Sequence, residues 1–287
     1  MARIYSRYCG GKTIGSLGFC VSWAVCKHGT DKQWLEITEV DLPLEKARDR
    51  LHGKKIVQIS DLHYSKTVSS KYLKACMKRI NELHPDIVVM TGDYVTHDLT
   101  GKYAEKVVDI VSRLKAPNGI YACLGNHDYG VNNAFSKRRS SQLDRLTDNM
   151  NQVGIKLLRN SSEQIDLDGQ TINLVGLGDI WAKDFDPDKS FAKINPDAPV
   201  IALTHTPQSV EHLKGHNFDT ALCGHTHGSR FILTPSANWP FIKKTHHQYH
   251  SGLYQIADKN FYVNRGLGRL GRARLNAPPE ITVYNLS

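Results

Sequence analysis

From Leu51 onward the apolar positions alternate between two periods. Lys55-Ile56-Val57-Gln58-Ile59-Ser60 is a short β-rich run. Residues 69–83 then place Tyr72, Leu73, Cys76, Ile80 and Leu83 at helical spacing, with Ser69 or Ser70 as cap. Pro85 pushes His84 away from helical angles and ends that helix. Asp86-Ile87-Val88-Val89-Met90-Thr91 is continuously apolar, as expected of a strand covered on both faces. Residues 103–114 read as a second helix and 119–124 as a third strand. A polar helix follows near 141–153, with strand pieces at 155–158, 171–176, 200–204, 220–223, 253–263 and 280–284. Two βα units followed by β-rich pairing predict an α/β sandwich with mixed sheets.

Chemistry-bearing residues collect just after these strands. They are Asp61-Leu62-His63, Gly92-Asp93, Gly125-Asn126-His127-Asp128, His205, and Gly224-His225-Thr226-His227. Open α/β folds place their sites beyond the C-terminal ends of strands, so folding is expected to gather these side chains. Asp61 and His63, two apart on a chain leaving a strand, can turn to one ion. Gly92 lets the backbone pass close to a neighbour and leaves the Asp93 carboxylate at a strand tip, where it can bridge two cations. Asn126 offers a neutral oxygen, and the splay of His225 and His227 suits one imidazole per ion. Taken alone, an Asp-x-His or a Gly-Asp is a weak signal, and a lone histidine is usually a surface or core residue. All of the clusters in this order, each at a strand end, are a strong one.

Carboxylates, an amide oxygen and imidazoles without thiolate argue against a structural zinc finger and against all-oxygen calcium or magnesium sites. Borderline divalent ions such as Mn, Fe, Co or Zn fit the set. Two ions about 3.5–4 Å apart would clamp a phosphoryl oxygen and acidify a bridging water for in-line attack. His127 is left over from coordination, placed to protonate a departing oxygen or to steady phosphoryl charge. Asp128 could orient the neighbouring backbone or imidazole.

Composition changes the picture little. At 287 residues, with 40% hydrophobic and 23% charged, the chain is ordinary for a soluble globular protein. A net charge of +9 favours anionic partners without choosing among them. No Lys/Arg run interleaves with aromatics to track nucleic acid, and Arg265, Arg269, Arg272 and Arg274 read as a solvated face. The six cysteines (Cys9, Cys20, Cys26, Cys76, Cys123, Cys223) show no CxxC and no disulfide spacing, as in a reduced compartment. Arg3, Arg7 and Lys12 precede an uncharged stretch over 13–26, shorter than the roughly 20 residues of a membrane-spanning helix. It reads either as a weak membrane anchor or as a disordered leader. The expected division is therefore an N-terminal extension over 1–50 and a catalytic domain over 51–287.

The ordered motifs from Asp61 to His227 resemble the calcineurin-like metallophosphoesterase superfamily. The resemblance implies a four-layer α/β/β/α sandwich with two mixed sheets. It also implies that Asp61, His63 and His227 bind one metal, that Asn126, His205 and His225 bind the other, and that Asp93 bridges them. His127 is then the catalytic histidine, and two divalent ions, Mn foremost, are the cofactors. The protein-phosphatase branch carries an acidic residue three positions after its Gly-Asp aspartate. Here that position is Thr96, which argues against protein phosphatase activity.

Val263-Asn264-Arg265-Gly266-Leu267-Gly268 and Pro278-Pro279-Glu280-Ile281 resemble a membrane-associated bacterial subgroup of small phosphodiesterases and chlamydial-type UDP-2,3-diacylglucosamine pyrophosphatases. That resemblance implies cleavage of a nucleotide-linked acylated sugar, UDP-2,3-diacylglucosamine, to UMP and 2,3-diacylglucosamine 1-phosphate (lipid X) in lipid A biosynthesis. It also implies cytoplasmic residence with peripheral attachment to the inner membrane. The alternative is a general or cell-wall phosphodiesterase. Arg230, Trp239 and Phe241 are candidate substrate contacts, on a stretch of apolar, aromatic and lysine residues suited to acyl chains and phosphate. The same stretch could equally dock on a bilayer or pack on its own domain. The segment 129–145, with Lys137-Arg138-Arg139, reads as a cap or as a basic surface helix.

Overall fold

The computed structural model describes residues 3–4, 21–24, 35–42, 44, 46, 51–96, 102–131, 140–228, 231–234, 241–244, 248–256, 258–269 and 277–287. The strands run, in chain order, β1 (Arg3–Ile4), β2 (Val21–Ala24), β3 (Glu36–Leu42), β4 (Lys55–Ile59), β5 (Ile87–Thr91), β6 (Ile120–Cys123), β7 (Ile155–Leu157) and β8 (Ser161–Leu167). They continue as β9 (Gln170–Gly176), β10 (Val200–Leu203), β11 (Thr220–Cys223), β12 (Phe231–Thr234), β13 (Phe241–Lys244), β14 (Gly252–Ile256), β15 (Lys259–Val263) and β16 (Glu280–Leu286). The helices are α1 (Ser70–Asn81), α2 (Lys102–Val111), α3 (Ser140–Gln152) and α4 (Pro187–Phe191), with a 3-10 helix at Pro207–His212.

Two seven-stranded sheets form, ordered β1-β14-β15-β11-β10-β9-β8 and β2-β3-β16-β4-β5-β6-β7. Both are mixed: β4, β5 and β6 are mutually parallel in one, and β9, β10 and β11 in the other. The apolar runs explain the layering, because successive strand side chains face opposite ways. On β5, Ile87 and Val89 join the core between the sheets, while Val88 and Met90 face α1, α2 and α3. On β10, Ile201 and Leu203 point between the sheets, and Val200 and Ala202 pack outward with Phe191 of α4 and Val210 of the 3-10 helix. Three cores separate four layers, the α/β/β/α sandwich that the family resemblance implied.

Helix α1 starts where the Ser69 side chain accepts a hydrogen bond from Tyr72 N at 3.2 Å. Beyond its end, before Pro85, His84 sits at φ 51°. Residues 253–263 are two antiparallel strands, β14 and β15, rather than one. The sequence pattern also passed over β3, which lies ahead of Leu51 yet pairs in parallel with β16 along its whole length and is largely buried. Residues 36–42 are thus part of the sandwich. Within 13–26, residues 21–24 form β2, antiparallel to β3; the others lie outside the described residues. No helix among the described residues is long and apolar enough to cross a membrane.

Candidate metal centre

The site loops follow β4, β5 and β6 in one sheet and β10 and β11 in the other, and backbone hydrogen bonds lace them together. Asp61 N donates to Gly92 O at 2.9 Å and His63 N to Asp93 O at 3.0 Å, so the pairing of β4 with β5 continues past the strand ends. Gly224 N reaches His205 O at 2.9 Å, and Gly268 N reaches Asp61 O at 2.6 Å. Asp61, His63, Asp93, His225 and His227 all have positive φ, between 45° and 74°. Asp and His tolerate that region better than most side chains, but each such residue still costs folding energy. Gly224 is required for the close approach, since a β-carbon there would stand 1.9 Å from Ser60 Oγ.

Two donor clusters result, sharing Asp93. In the first, His63 Nε2 lies 3.1 Å from His227 Nε2, 3.7 Å from Asp61 Oδ1 and 3.4 Å from Asp93 Oδ2. In the second, His205 Nε2 lies 3.2 Å from Asp93 Oδ2 and 3.2 Å from His225 Nδ1, which is 3.1 Å from Asn126 Oδ1. His227 falls in the first cluster and His225 in the second.

Ring and amide orientations are set from behind. His205 Nδ1 faces the carbonyl of Thr91 at 2.7 Å, so Nδ1 carries a proton and Nε2 points inward. The Asn126 amide nitrogen donates to Val131 O at 2.6 Å, which turns its oxygen to the centre. Thr96 Oγ1 lies 3.2 Å from His63 Nδ1. The buried Asp61 Oδ1 has no hydrogen-bond partner; its nearest imidazole nitrogen is 3.5 Å away. An orphaned carboxylate oxygen beside facing imidazole nitrogens fits a cation. Donor separations of 3.1–3.7 Å also approximate polyhedron edges around an ion with bonds of about 2.1 Å.

Burial alone would raise both carboxylates, but the surrounding histidines outweigh it. His227 foremost, with His63 and His205, holds Asp61 well below the usual carboxylate range. Asp93 is held down likewise by His205, His127 and His63. Burial lowers His205 in turn, and the charge and hydrogen bond of Asp93, with the charges of Asp61 and Asp179, together raise it well above the ordinary imidazole value.

His127 stands beside the first cluster, its ring 5.0 Å from that of His63 and nearly perpendicular to it. Its backbone N donates to Asp93 Oδ1 at 3.0 Å, and its Nδ1 faces the Thr96 carbonyl at 2.9 Å. A carbonyl only accepts, so Nδ1 is protonated and Nε2 is left for other work. The position lacking an acidic side chain thus orients the histidine through its main chain. Asp128 braces backbone rather than imidazole: it accepts from Asp93 N at 2.8 Å, Tyr94 N at 2.9 Å and Gly125 N at 2.9 Å. Burial and the Asp93 charge push its carboxyl up to about 8.

Of the other candidates, Arg230 and Trp239 lie outside the described residues, as do Lys137-Arg138-Arg139. Phe241 begins β13, which pairs only with β12 among the described strands. Sequence reasoning missed the loop after β9, where Asp179 is fully buried and Trp181 lies edge-on to His225 at 4.6 Å. Gly178-Asp179 after an apolar strand repeats the Gly92-Asp93 pattern and could have drawn notice.

Comparison with known proteins agrees with this geometry. The profile of the calcineurin-like phosphoesterases matches residues 54–229. The UDP-2,3-diacylglucosamine pyrophosphatase LpxG of Chlamydia trachomatis is 34% identical, over 91% of this chain and 92% of its own. The Chlamydia muridarum LpxG is 31% identical over 92% of both chains. The phosphodiesterase YaeI of Escherichia coli is 30% identical over 90% of this chain and 91% of its own. The chain belongs to the calcineurin-like phosphoesterases, divalent-metal hydrolases of phosphoester bonds.

Proposed function

We propose that this chain hydrolyses UDP-2,3-diacylglucosamine to UMP and 2,3-diacylglucosamine 1-phosphate, using two divalent ions, Mn foremost. The observation that carries the reading is the meeting of two donor clusters at Asp93 Oδ2, within 3.4 Å of His63 Nε2 and 3.2 Å of His205 Nε2. Asp61, His63 and His227 would hold one ion, Asn126, His205 and His225 the other, and Asp93 both. The choice of substrate is supported by the similarity to the chlamydial pyrophosphatases along nearly the whole chain.

When bound, the ions supply Lewis-acid polarisation of the phosphoryl group and acidify water. The protein's own part is positioning and proton transfer. The Thr96 carbonyl fixes the His127 ring, so Nε2 is the atom that can pass a proton to the departing oxygen. Asp128, fastening three backbone amides, keeps Asp93 and the Gly125 turn in register. Peripheral attachment to the cytoplasmic face of an inner membrane belongs to the same proposal, and the net charge of +9 favours an anionic surface.

The second reading, a general or cell-wall phosphodiesterase, is favoured by the similarity to the Escherichia coli phosphodiesterase. Incubating the Mn-loaded chain with UDP-2,3-diacylglucosamine separates them. Stoichiometric UMP and lipid X support the first reading. Absence of UMP alongside turnover of simple aryl phosphodiesters establishes the second.

A further inference from the structure

Four adjacent strands of the β8-containing sheet, β9, β10, β11 and β15, are parallel, and of these β10 and β11 deliver candidate ligands. The loop after β9 brings Trp181 instead. That loop is fastened on several sides. Asp179 accepts from Ala182 N at 2.9 Å and from Thr206 Oγ1 at 2.8 Å. The Asp184 carboxylate takes Arg159 Nε at 2.5 Å, Arg159 Nη2 at 2.8 Å and the Tyr129 hydroxyl at 2.7 Å. Asn160 spans the loop, its oxygen accepting from Gly178 N at 2.7 Å and its nitrogen donating to Asp184 O at 2.5 Å.

Between these fixed points Trp181 keeps 45% of its surface exposed, and among the described residues only Val153 is a comparably exposed large hydrophobic. Its ring meets His225 at 75° between planes, so the edge contact leaves much of the indole in water. Had the loop needed only a lid over His225, a smaller side chain would serve without exposing so much apolar ring. A rigidly held, half-exposed indole at the rim of a charged pocket instead suits stacking against a flat ring. His127 borders the first cluster and Trp181 the second. A substrate reaching across both puts the oxygen to be protonated at one end and a planar group at the other.

We infer that Trp181 is a specificity-determining residue, stacking its indole on the nucleobase of a nucleotide substrate whose phosphoryl group lies at the metal centre. The inference rests on the nucleotide-linked substrate proposed above and adds the subsite that would read the base. A stacked base contributes about fivefold to hundredfold in affinity.

The test is calorimetric binding of UMP and ribose 5-phosphate, which share the sugar phosphate and differ by the base, to the full chain saturated with Mn2+. The unaltered chain should bind UMP the tighter by that factor. Trp181→Ala should bring the two dissociation constants together, and Trp181→Phe should keep part of the preference. A preference for UMP that survives Trp181→Ala overturns the inference, as does its absence from the unaltered chain. Equal weakening of both ligands in both variants also overturns it, because that marks a merely structural ring. Release of UMP from UDP-2,3-diacylglucosamine is measured separately. Should the lipid resist hydrolysis while the preference follows Trp181, the inference stands and the lipid substrate falls; hydrolysis with a preference indifferent to Trp181 gives the reverse.

Discussion

Replacing Gly125 by alanine should disable the site while leaving the fold in place. A β-carbon at Gly125 would stand 2.2 Å from Asp93 Oδ1 and 2.5 Å from Asp93 N. The Gly125 φ is not in the left-handed region, so the added methyl carries the whole perturbation. The Asp93 amide has little room to retreat, because it donates to Asp128 Oδ2 at 2.8 Å. Gly92 on its other side already packs so tightly that a β-carbon there would meet Gly125 N at 2.4 Å. The carboxylate must therefore yield, and restoring ordinary contact moves Oδ1 by about 1 Å. Oδ2, set against His63 and His205, moves with it. Metal ligands tolerate about 0.2 Å, and a displacement of about 1 Å costs on the order of a hundredfold in rate. We expect kcat on bis(4-nitrophenyl) phosphate to fall at least about a hundredfold, and metal content per chain, measured by plasma mass spectrometry, to drop below two. Overpacking should cost about 1–3 kcal/mol of stability. A Gly125→Ala protein with two ions and a kcat within about threefold of the parent would refute the reasoning.

Removing the imidazole in His127→Ala should lower kcat by about 10²–10⁴-fold with metal content unchanged, and loss of an ion would show that His127 coordinates instead. Gln58, buried between the sheets, donates to Thr91 Oγ1 at 2.9 Å and to Cys223 O at 2.9 Å, and accepts from the Tyr284 hydroxyl at 2.5 Å. Gln58→Leu strands those partners and should cost about 2–4 kcal/mol in urea unfolding; a loss under about 1 kcal/mol would contradict the assignment. Glu280 is buried against Arg265, 3.1 Å away; burial raises its carboxyl, but the Arg265 charge together with hydrogen bonds from Thr38, Tyr262 and the Arg265 amide outweighs that and leaves it below the ordinary glutamate value of 4.5. A lowered folded value stabilises above the unfolded one and fades as pH falls through the folded one. Below about pH 4.5 the unfolding midpoint of the parent should therefore drop more steeply than that of Glu280→Gln, and equal slopes would refute the link.

The alternation of strands and helices and the placing of the clusters at strand ends were legible because both rest on local pattern, whereas the four-layer arrangement came from the family resemblance. The run 86–91 announces a strand covered on both faces, and it does split its side chains between two cores. The Asp61, Asp93, Asn126, His205, His225 and His227 motifs stand at strand ends, where chain direction alone aims them at one rim. What escaped depends on distant partners. Strand β3 looks unremarkable because its alternation is broken by Glu36, Thr38 and Glu39, yet Glu36 is buried in an ion pair with Arg265, 229 positions on, at 2.7 Å. The orienting role of Thr96 is played by a carbonyl, which every residue has, so no side chain could signal it. Trp181 carries no ligand chemistry, and its place beside His225 exists only once β9 and β11 lie in one sheet.

Each donor cluster draws on both sheets. Asp61 and His63 come from the loop after β4 and meet His227 from beyond β11, while Asn126 from beyond β6 meets His205 and His225. Bound ions would then act as rivets through two plates already joined by apolar contact and by buried hydrogen bonds such as those of Gln58 and of Tyr262 to Glu280. Prying the plates apart and emptying the centre become one event, so scarcity of metal would be felt as mechanical looseness of the entire body, with the mouth of the pocket widening as its catalysts depart.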